Sequence, residues 1–448
     1  MKAIQGLLVS VAALLAPVAV SATPTRYVVV FTGDGVPKAA ADAIARAGGT
    51  LEKAFPQVGV GIASSADPAF AASLRGKAGV YAVDAARFFA SPRAIAAGEP
   101  DATGPTAGDS YYGAYQWGIR RVNANLAWSI TSGSHATTVA VIDTGVAWNH
   151  PDLAPNVTFM ACYSVYLNPC SPYPNGAFPN DAWHGTHVAG TIAAAFGGGR
   201  VVGVGPNLSL AAYNVFEPTS SGDLLAWDES IWAAMIDAAE RGFSVINMSL
   251  GGYVVFPAKD AAIWTAWNRI ADFVRRRGVT IVASSGNGDV NLNGPVAHVP
   301  SDLSGVVSVG ATGIRPAAAF PQPGAFDVRA VYSNFGAAVD VVAPGGDTGP
   351  DGTPWPNPGA YYLILSTSVV LNPVCAATAS CPPAYSFAGG TSMASPHVAG
   401  VAGLVKDRFP GLNPEQVAAT LKRTAASLSG RQSFGHGMID AYKALGGP

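Results

Sequence analysis

The chain has 448 residues, of which 49% are hydrophobic and 12% are charged, and its formal net charge is −2 at pH 7. This length is enough for a large core and more than one domain. The near-neutral charge gives no electrostatic basis for binding nucleic acid or an anionic membrane, so we expect neither partner.

The first 22 residues have the pattern of a targeting segment. Lys2 is followed by an apolar run and by the small residues Val20-Ser21-Ala22. The pattern predicts a secretory signal peptide over residues 1–22, and an N-terminal anchor is the alternative. Because no later run is apolar for long enough to span a bilayer, we expect a secreted, extracellular protein.

Four cysteines suit the oxidising compartment that a signal peptide implies. Cys162 lies close in sequence to Cys170, and Cys375 lies close to Cys381. Of the three connectivities that four cysteines allow, we predict these two local disulfides. A metal site is the alternative, but neither pair has CxxC spacing and no histidine lies nearby.

Residues 26–85 alternate between strand and helix patterns. The predicted strands are 26–31, 50–55, 58–63 and 79–85, and the predicted helices are 37–47 and 67–77. This order is the split βαβ of a small ferredoxin-like α+β domain. Residues 86–109 are rich in Ala, Gly, Pro, Ser and Asp, so they predict a linker in which we expect cleavage.

From residue 110 to residue 448, apolar strand patterns alternate with helical ones. The predicted strands are 138–142, 209–215, 244–249, 279–284, 306–309 and 339–342. The predicted helices are 184–195, 224–241, 259–277, 392–408 and 414–425. This alternation predicts an α/β domain with a parallel, doubly wound sheet, whose reactive groups gather at the carboxyl ends of the strands.

Two candidate site residues lie in the first half of this domain. Asp143 directly follows the predicted strand 138–142, and its structural alternative is a turn-forming Asp. His184 begins the small-residue helix His-Gly-Thr-His-Val-Ala-Gly. It could instead be a core histidine, or half of a metal site with His187, although no HExxH pattern is present.

Two more candidates lie in the second half. Asn287 follows the predicted strand 279–284, where a turn-forming Asn beside Gly is the alternative. Ser392 follows Gly-Gly-Thr at the start of the predicted helix 392–408, where its own N–H can face an oxyanion. A serine N-cap on a core helix is the alternative.

Taken together, these residues are the parts that serine acyl transfer requires. A serine hydroxyl needs a base to accept its proton, and histidine suits that task. The imidazole needs a carboxylate to orient it, and the intermediate needs donors for its oxyanion. Asp, His and Ser occur here in the chain order of subtilisin, which differs from the order in α/β-hydrolases and chymotrypsin-type enzymes.

Three motifs carry a resemblance to the subtilisin-like serine peptidases. They are residues 141–146 (Val-Ile-Asp-Thr-Gly-Val), 184–190 (His-Gly-Thr-His-Val-Ala-Gly) and 390–400 (Gly-Thr-Ser-Met-Ala-Ser-Pro-His-Val-Ala-Gly). The resemblance extends over residues 116–441. It implies a catalytic triad of Asp143, His184 and Ser392, with Asn287 in the oxyanion hole.

The resemblance implies more about the substrate and the precursor. A peptide or protein substrate is expected to pair as an added strand with Ser249, Leu250 and Gly251. Residues 23–109 are expected to be a pro-segment that inhibits the enzyme until it is cleaved. We expect a monomer with a broad preference for apolar or aromatic side chains.

No cofactor is implied for the chemistry, but many relatives hold a structural calcium ion. The chain keeps the family's His-Pro-Asp-Leu turn at residues 150–153. The loop at 196–200 (Phe-Gly-Gly-Gly-Arg) has no Asn and carries a cation, so the calcium-binding pattern is incomplete. A second departure is the inserted, Cys-bearing loop 371–385.

Two other functions agree with part of this pattern. A catalytically silent binding module could keep the fold, but such a protein usually lacks at least one of the four groups. A serine esterase could use the same triad, although the predicted substrate-pairing strand favours peptides.

Overall fold

A computed structural model describes residues 24–77, 79–91, 95–97, 109–167, 170–172, 183–219, 223–255, 260–314, 327–348, 362–370 and 381–448. The predicted signal peptide, Cys375 and residues 371–380 of the inserted loop lie outside these ranges.

The N-terminal domain is a four-stranded antiparallel sheet with two helices. Its elements are β1 (Thr25–Phe31), α1 (Ala40–Arg46), β2 (Thr50–Phe55), β3 (Val60–Ser65), α2 (Phe70–Leu74) and β4 (Val80–Ala85). The sheet order β2-β3-β1-β4 is that of the predicted ferredoxin-like arrangement. Just after helix α1, Gly48 has a φ of +84°, which suits glycine, and the N–H of Gly49 donates to the carbonyl of Ile44 at 3.0 Å.

The C-terminal domain is built on a mostly parallel sheet. Its strands are β7 (Thr138–Asp143), β8 (Val157–Cys162), β9 (Ser209–Asn214), β12 (Val245–Met248), β14 (Thr280–Ser284), β16 (Val306–Gly313), β17 (Val328–Arg329) and β18 (Val341–Pro344). They lie in the order β17-β16-β14-β12-β7-β9-β8, with β18 also paired to β16. Except for the antiparallel pair β16–β17, neighbouring strands run parallel, which confirms the predicted sheet.

Helices cover both faces of this sheet. The described helices are α3 (Tyr112–Tyr115), α4 (Trp117–Arg121), α5 (Ala124–Ala127), α6 (His184–Ala193), α7 (Asp228–Glu240), α8 (Ala261–Arg276), α9 (Thr391–Arg408), α10 (Pro414–Thr424), α11 (Arg431–Phe434) and α12 (Ala441–Ala444). Helices α6 and α9 belong to the apolar cluster on one face, and α7 and α8 belong to that on the other. The small side chains of α6 and α9 let these two helices pack closely beside each other.

Short strands form three smaller sheets beside the main sheet. They are β5 (Phe88–Ala90), β6 (Ile95–Ala97), β10 (Phe216–Pro218), β11 (Leu224–Trp227), β13 (Gly252–Val255), β15 (Val296–Val299), β19 (Ile364–Val369) and β20 (Pro383–Gly389). The predicted linker 86–109 therefore contains two strands: β5 pairs with β11, and β6 pairs with β20. The predicted helix 224–241 was wrong over its first four residues, which form β11.

The N-terminal sheet packs against α7 and α8. Apolar residues of β1 and β3 share one buried cluster with both helices, and the Phe55 ring meets that of Trp232 edge-on at 6.0 Å. At the rim, Arg26 pairs with Glu229 at 2.5 Å. Nη1 of Arg269 donates to the carbonyl of Gly33 at 3.0 Å.

Two further predictions concern the cysteines and the membrane. Cys162 and Cys170 form a disulfide, as predicted, and Cys381 is also disulfide-bonded. Within the part of the chain that the structure describes, no helix is both long enough and apolar enough to cross a bilayer.

Candidate active site

Asp143 and His184 meet at the carboxyl end of the central strand β7. Both side chains are fully buried, and Oδ1 of Asp143 lies 2.8 Å from Nδ1 of His184. The same oxygen accepts the N–H of Thr144 at 2.7 Å. Because a carboxylate only accepts hydrogen bonds, Nδ1 carries the imidazole proton, and Nε2 is left as a proton acceptor.

The start of α6 is fitted closely around this pair. A Cβ added to Gly185 would lie 2.3 Å from the carbonyl oxygen of Gly145 and 3.1 Å from Cβ of Asp143. The N–H of Gly185 donates to Oγ1 of Thr144 at 3.0 Å. Only glycine at position 185 allows α6 to approach β7 closely enough for the Asp143–His184 hydrogen bond.

Ser392 is the second residue of α9, where backbone N–H groups have no partner within the helix. Its Oγ donates to the carbonyl of Ser249 at 3.2 Å, and Oγ of Ser249 donates to the carbonyl of Ser392 at 2.9 Å. Asn247 Nδ2 in turn donates to Oγ of Ser249 at 3.0 Å. These bonds attach the helix start to the end of β12.

Asn287 lies beside Ser392, in the loop that follows β14. Its Oδ1 accepts the N–H of Thr391 at 2.9 Å and the hydroxyl of Thr391 at 2.7 Å. With Oδ1 so engaged, Nδ2 is left to donate elsewhere. Asn287 and Ser392 line one cleft, so the amide donor and the helix start face the same space.

The predicted substrate strand borders this cleft. Leu250 and Gly251 line the cleft, and the neighbouring Ser249 is fully buried. The cleft has a volume of about 330 Å³ and extends to Ala90 of β5.

Residues 88–91 border this region, and the next described residues are 95–97. Ala90 pairs with Leu225 and Phe89 with Ala226, and the N–H of Ser91 donates to Leu224 at 2.8 Å. Phe89 is only 5% exposed, and a Cβ added to Gly252 would lie 2.4 Å from its ring. Later in the chain, strand β6 pairs with β20, and β20 leads directly into α9 and Ser392.

Strand β11 is the part of the site that sequence reasoning missed. Its four residues were assigned to the helix that follows. The acidic pair Asp228 and Glu229 was the available signal, because acidic residues favour the first turn of a helix. In the structure they occupy the first turn of α7, directly after β11.

His187 has no part in a metal site. Its Nε2 lies 3.1 Å from the carbonyl of Ile364 and 3.0 Å from that of Ser386. Burial lowers the pKa of His187 to about 3, so the ring is neutral. Nowhere in the described ranges do three His, Cys, Asp or Glu side chains gather to hold a metal.

At the calcium-binding position of the family, one carboxylate oxygen of Asp152 accepts a backbone donor and the other is buried without a hydrogen-bond partner among the described residues. Oδ2 of Asp152 accepts the N–H of Arg200 at 3.2 Å, and Oδ1 of Asp109 accepts the N–H of Gly197 at 2.8 Å. The Arg200 guanidinium lies 4.9 Å from the ring centre of Tyr111. Calcium needs six to eight oxygen ligands, so N–H donors and a nearby cation do not fit this ion.

Comparison with known proteins agrees with this geometry. Residues 134–437 match the subtilase family model. Thermitase from Thermoactinomyces vulgaris is 31% identical over 76% of this chain and 99% of its own length. Subtilisin Savinase from Lederbergia lenta is 34% identical over 73% of this chain and 97% of its own length.

A solved structure has the same fold over nearly the whole chain. The epidermin leader peptide processing serine protease from Staphylococcus aureus has a TM-score of 0.70 and 23% identity, covering 95% of this chain and 98% of that one. At this identity the likeness concerns the fold. With the family match and the relatives above, it follows that the chain belongs to the subtilase family and is a subtilisin-like serine endopeptidase.

Proposed function

We propose that the protein is made as a secreted precursor and cleaves peptide bonds with Asp143, His184 and Ser392. The observation that carries the proposal is the buried 2.8 Å hydrogen bond from His184 Nδ1 to Asp143. It holds the imidazole in the tautomer that a general base needs, on helix α6, which packs beside the helix α9 that carries Ser392.

The reaction begins when Oγ of Ser392 turns from the Ser249 carbonyl toward Nε2 of His184. Oγ then bonds to the substrate carbonyl carbon as its proton passes to Nε2. The imidazolium, stabilised by Asp143, returns that proton to the leaving amine as the C–N bond breaks. Water repeats the sequence on the acyl-enzyme and releases the carboxylic acid.

Charge that develops on the substrate carbonyl oxygen needs fixed donors. Nδ2 of Asn287 and the N–H of Ser392 face the same cleft and supply them. Because Oδ1 of Asn287 is held twice by Thr391, the amide does not have to reorganise during the reaction.

Residues 23–109 act as the pro-segment, and its strand β5 binds at the cleft as a substrate would. Support comes from Ala90 of β5, which lines the cleft with Ser392, and from β6, which pairs with the strand β20 that leads into Ser392. The bond that is cleaved therefore lies between Ser91 and Ile95. Main-chain pairing holds this segment whatever its side chains, as expected for peptide recognition by strand addition.

The central test is labelling by a fluorophosphonate probe together with hydrolysis of casein. Ser392→Ala should abolish both while the protein stays folded. Ser395→Ala is the matched control, since Ser395 lies one turn further along α9 and its hydroxyl donates to Asn247 at 2.7 Å. Activity retained in Ser392→Ala would refute the proposal, and a folded wild type that the probe does not label would indicate a silent binding module.

N-terminal sequencing of the secreted protein tests the precursor. We expect a mature N-terminus between residues 92 and 95 in the wild type and an uncut chain in Ser392→Ala. Thr23 as the only stable N-terminus of an active wild type would contradict the pro-segment assignment.

A further inference from the structure

The cleft beside Ser392 continues between two glycine-bearing loops. Leu250 and Gly251 form one side, and Ser284 and Gly286 form the other. On the proposed function, on which this inference rests, the side chain that precedes the scissile bond enters between these loops. The size of the substrate side chain that can bind is limited by the residue at the far end of this cleft.

His298 lies at that far end. A Cβ added to Gly251 would lie 2.4 Å from Cε1 and 2.9 Å from Nε2 of His298. A Cβ added to Gly286 would lie 2.9 Å from Nε2 and 2.9 Å from Cδ2. The outer edge of the imidazole thus reaches both glycine loops and occupies the space between them.

The ring is held firmly in this position. Nδ1 of His298 lies 3.0 Å from Oγ of Ser301, which donates to Oδ1 of Asp302 at 3.0 Å. Oδ2 of Asp302 accepts the backbone N–H of His298 at 2.8 Å. The ring of Tyr253 meets the imidazole edge-on at 5.3 Å. His298 is only 4% exposed, and these contacts hold the ring in place.

The imidazole is neutral in this environment. Burial lowers the pKa of His298 to about 4. The Ser301 hydroxyl donates to the Asp302 carboxylate or to the carbonyl of His298, so Nδ1 carries the ring proton and donates to Ser301. A bound side chain therefore meets a rigid, uncharged ring.

We propose that His298 is a specificity-determining residue: it closes the side-chain pocket next to Ser392, so that short side chains are accepted and aromatic ones are excluded. Ala or Ser fits above the ring, whereas Phe would need the space that the imidazole fills. This inference differs from the broad preference for apolar or aromatic side chains expected from the sequence.

The test uses two otherwise identical quenched peptides with Ala or Phe before the scissile bond. For the wild type we expect kcat/KM to be at least about tenfold higher for the Ala peptide, because a single methylene that does not fit a pocket changes kcat/KM by roughly 10–200-fold. His298→Ala should shift the Phe/Ala ratio toward Phe by at least about tenfold. His298→Leu keeps most of the ring volume and should leave the ratio close to that of the wild type.

Fluorophosphonate labelling counts the working active sites in each preparation, which separates this inference from the proposed function. A wild type that cleaves both peptides equally well would overturn the role of His298, whether or not the variants fold. An unchanged ratio in labelled His298→Ala would overturn it too. A wild type that is neither labelled nor active would instead overturn the proposed function.

Discussion

Gly185 offers a sharp test of how the proposed catalytic pair, Asp143 and His184, is assembled. In Gly185→Ala the new Cβ would meet the carbonyl oxygen of Gly145 at 2.3 Å. An ordinary contact requires roughly 1 Å more, so the start of α6 must move away from β7. The Asp143–His184 distance of 2.8 Å would then exceed hydrogen-bonding range.

The expected effect on activity is large and the effect on stability is moderate. A 1 Å misplacement of catalytic groups costs about 100-fold, so kcat should fall by about that factor, equivalent to roughly 2.7 kcal/mol. Overpacking should lower the free energy of unfolding by about 1–3 kcal/mol, which leaves the chain folded. Steady-state kinetics, the rate of fluorophosphonate labelling and thermal unfolding measure the three quantities.

Gly113→Ala is the matched control. Gly113 lies in the short helix α3, and nothing lies within 4 Å of a Cβ added there. This variant should keep wild-type kinetics. If Gly185→Ala did the same, the close contact between α6 and β7 would not be what aligns His184, and our reasoning would fail.

Three further predictions address the pro-segment, the calcium position and pH. Phe89→Ala removes a buried ring from the edge of the cleft. The lost burial is worth roughly 1.5–3 kcal/mol, so binding of the cleaved pro-segment should weaken by about 10–100-fold. Unchanged inhibition kinetics would argue against substrate-like binding. Because the residues around Asp152 do not suit calcium, adding EGTA should leave Tm unchanged. If an ion were bound there at a free concentration of 100 times its Kd, its removal would lower the free energy of unfolding by about 2.7 kcal/mol. Burial lowers the pKa of His397 to about 4, below its value of about 6.5 in the unfolded chain. The stability that the neutral residue contributes is therefore present above pH 6.5 and is lost as the pH falls toward 4. We therefore compare Ser392→Ala with the double variant Ser392→Ala/His397→Gln by urea unfolding at pH 7 and pH 4.5. The fall in the free energy of unfolding between these two pH values should be about 2–3 kcal/mol smaller in the double variant, and equal falls would exclude this linkage.

The elements that position the candidate site could be predicted because local signals identify them. Asp143 ends a continuous apolar run, and Ser392 begins a small-residue helix after two glycines. Both features depend on neighbours in sequence, and a parallel sheet brings strand ends to one edge. The hydrogen bond between Asp143 and His184 agrees with that expectation.

The features that sequence reasoning missed depend on long-range pairing. The short strands β5 and β11 lie far apart in sequence, and each is stabilised by the other rather than by its own pattern. Leu224–Trp227 is apolar in either conformation, so propensity could not separate strand from helix there. The position of His298 between Gly251 and Gly286 likewise depends on loops whose conformation the sequence does not reveal.

The contact between the N-terminal sheet and helices α7 and α8 bears on the timing of activation. When residues 23–91 are cut from the rest of the chain, both fragments keep complementary apolar faces, and Arg26 can still find Glu229. On the proposed function, the severed fragment stays bound through these faces as a product inhibitor, so we expect proteolytic destruction of the freed fragment, rather than the first cut, to limit the appearance of activity.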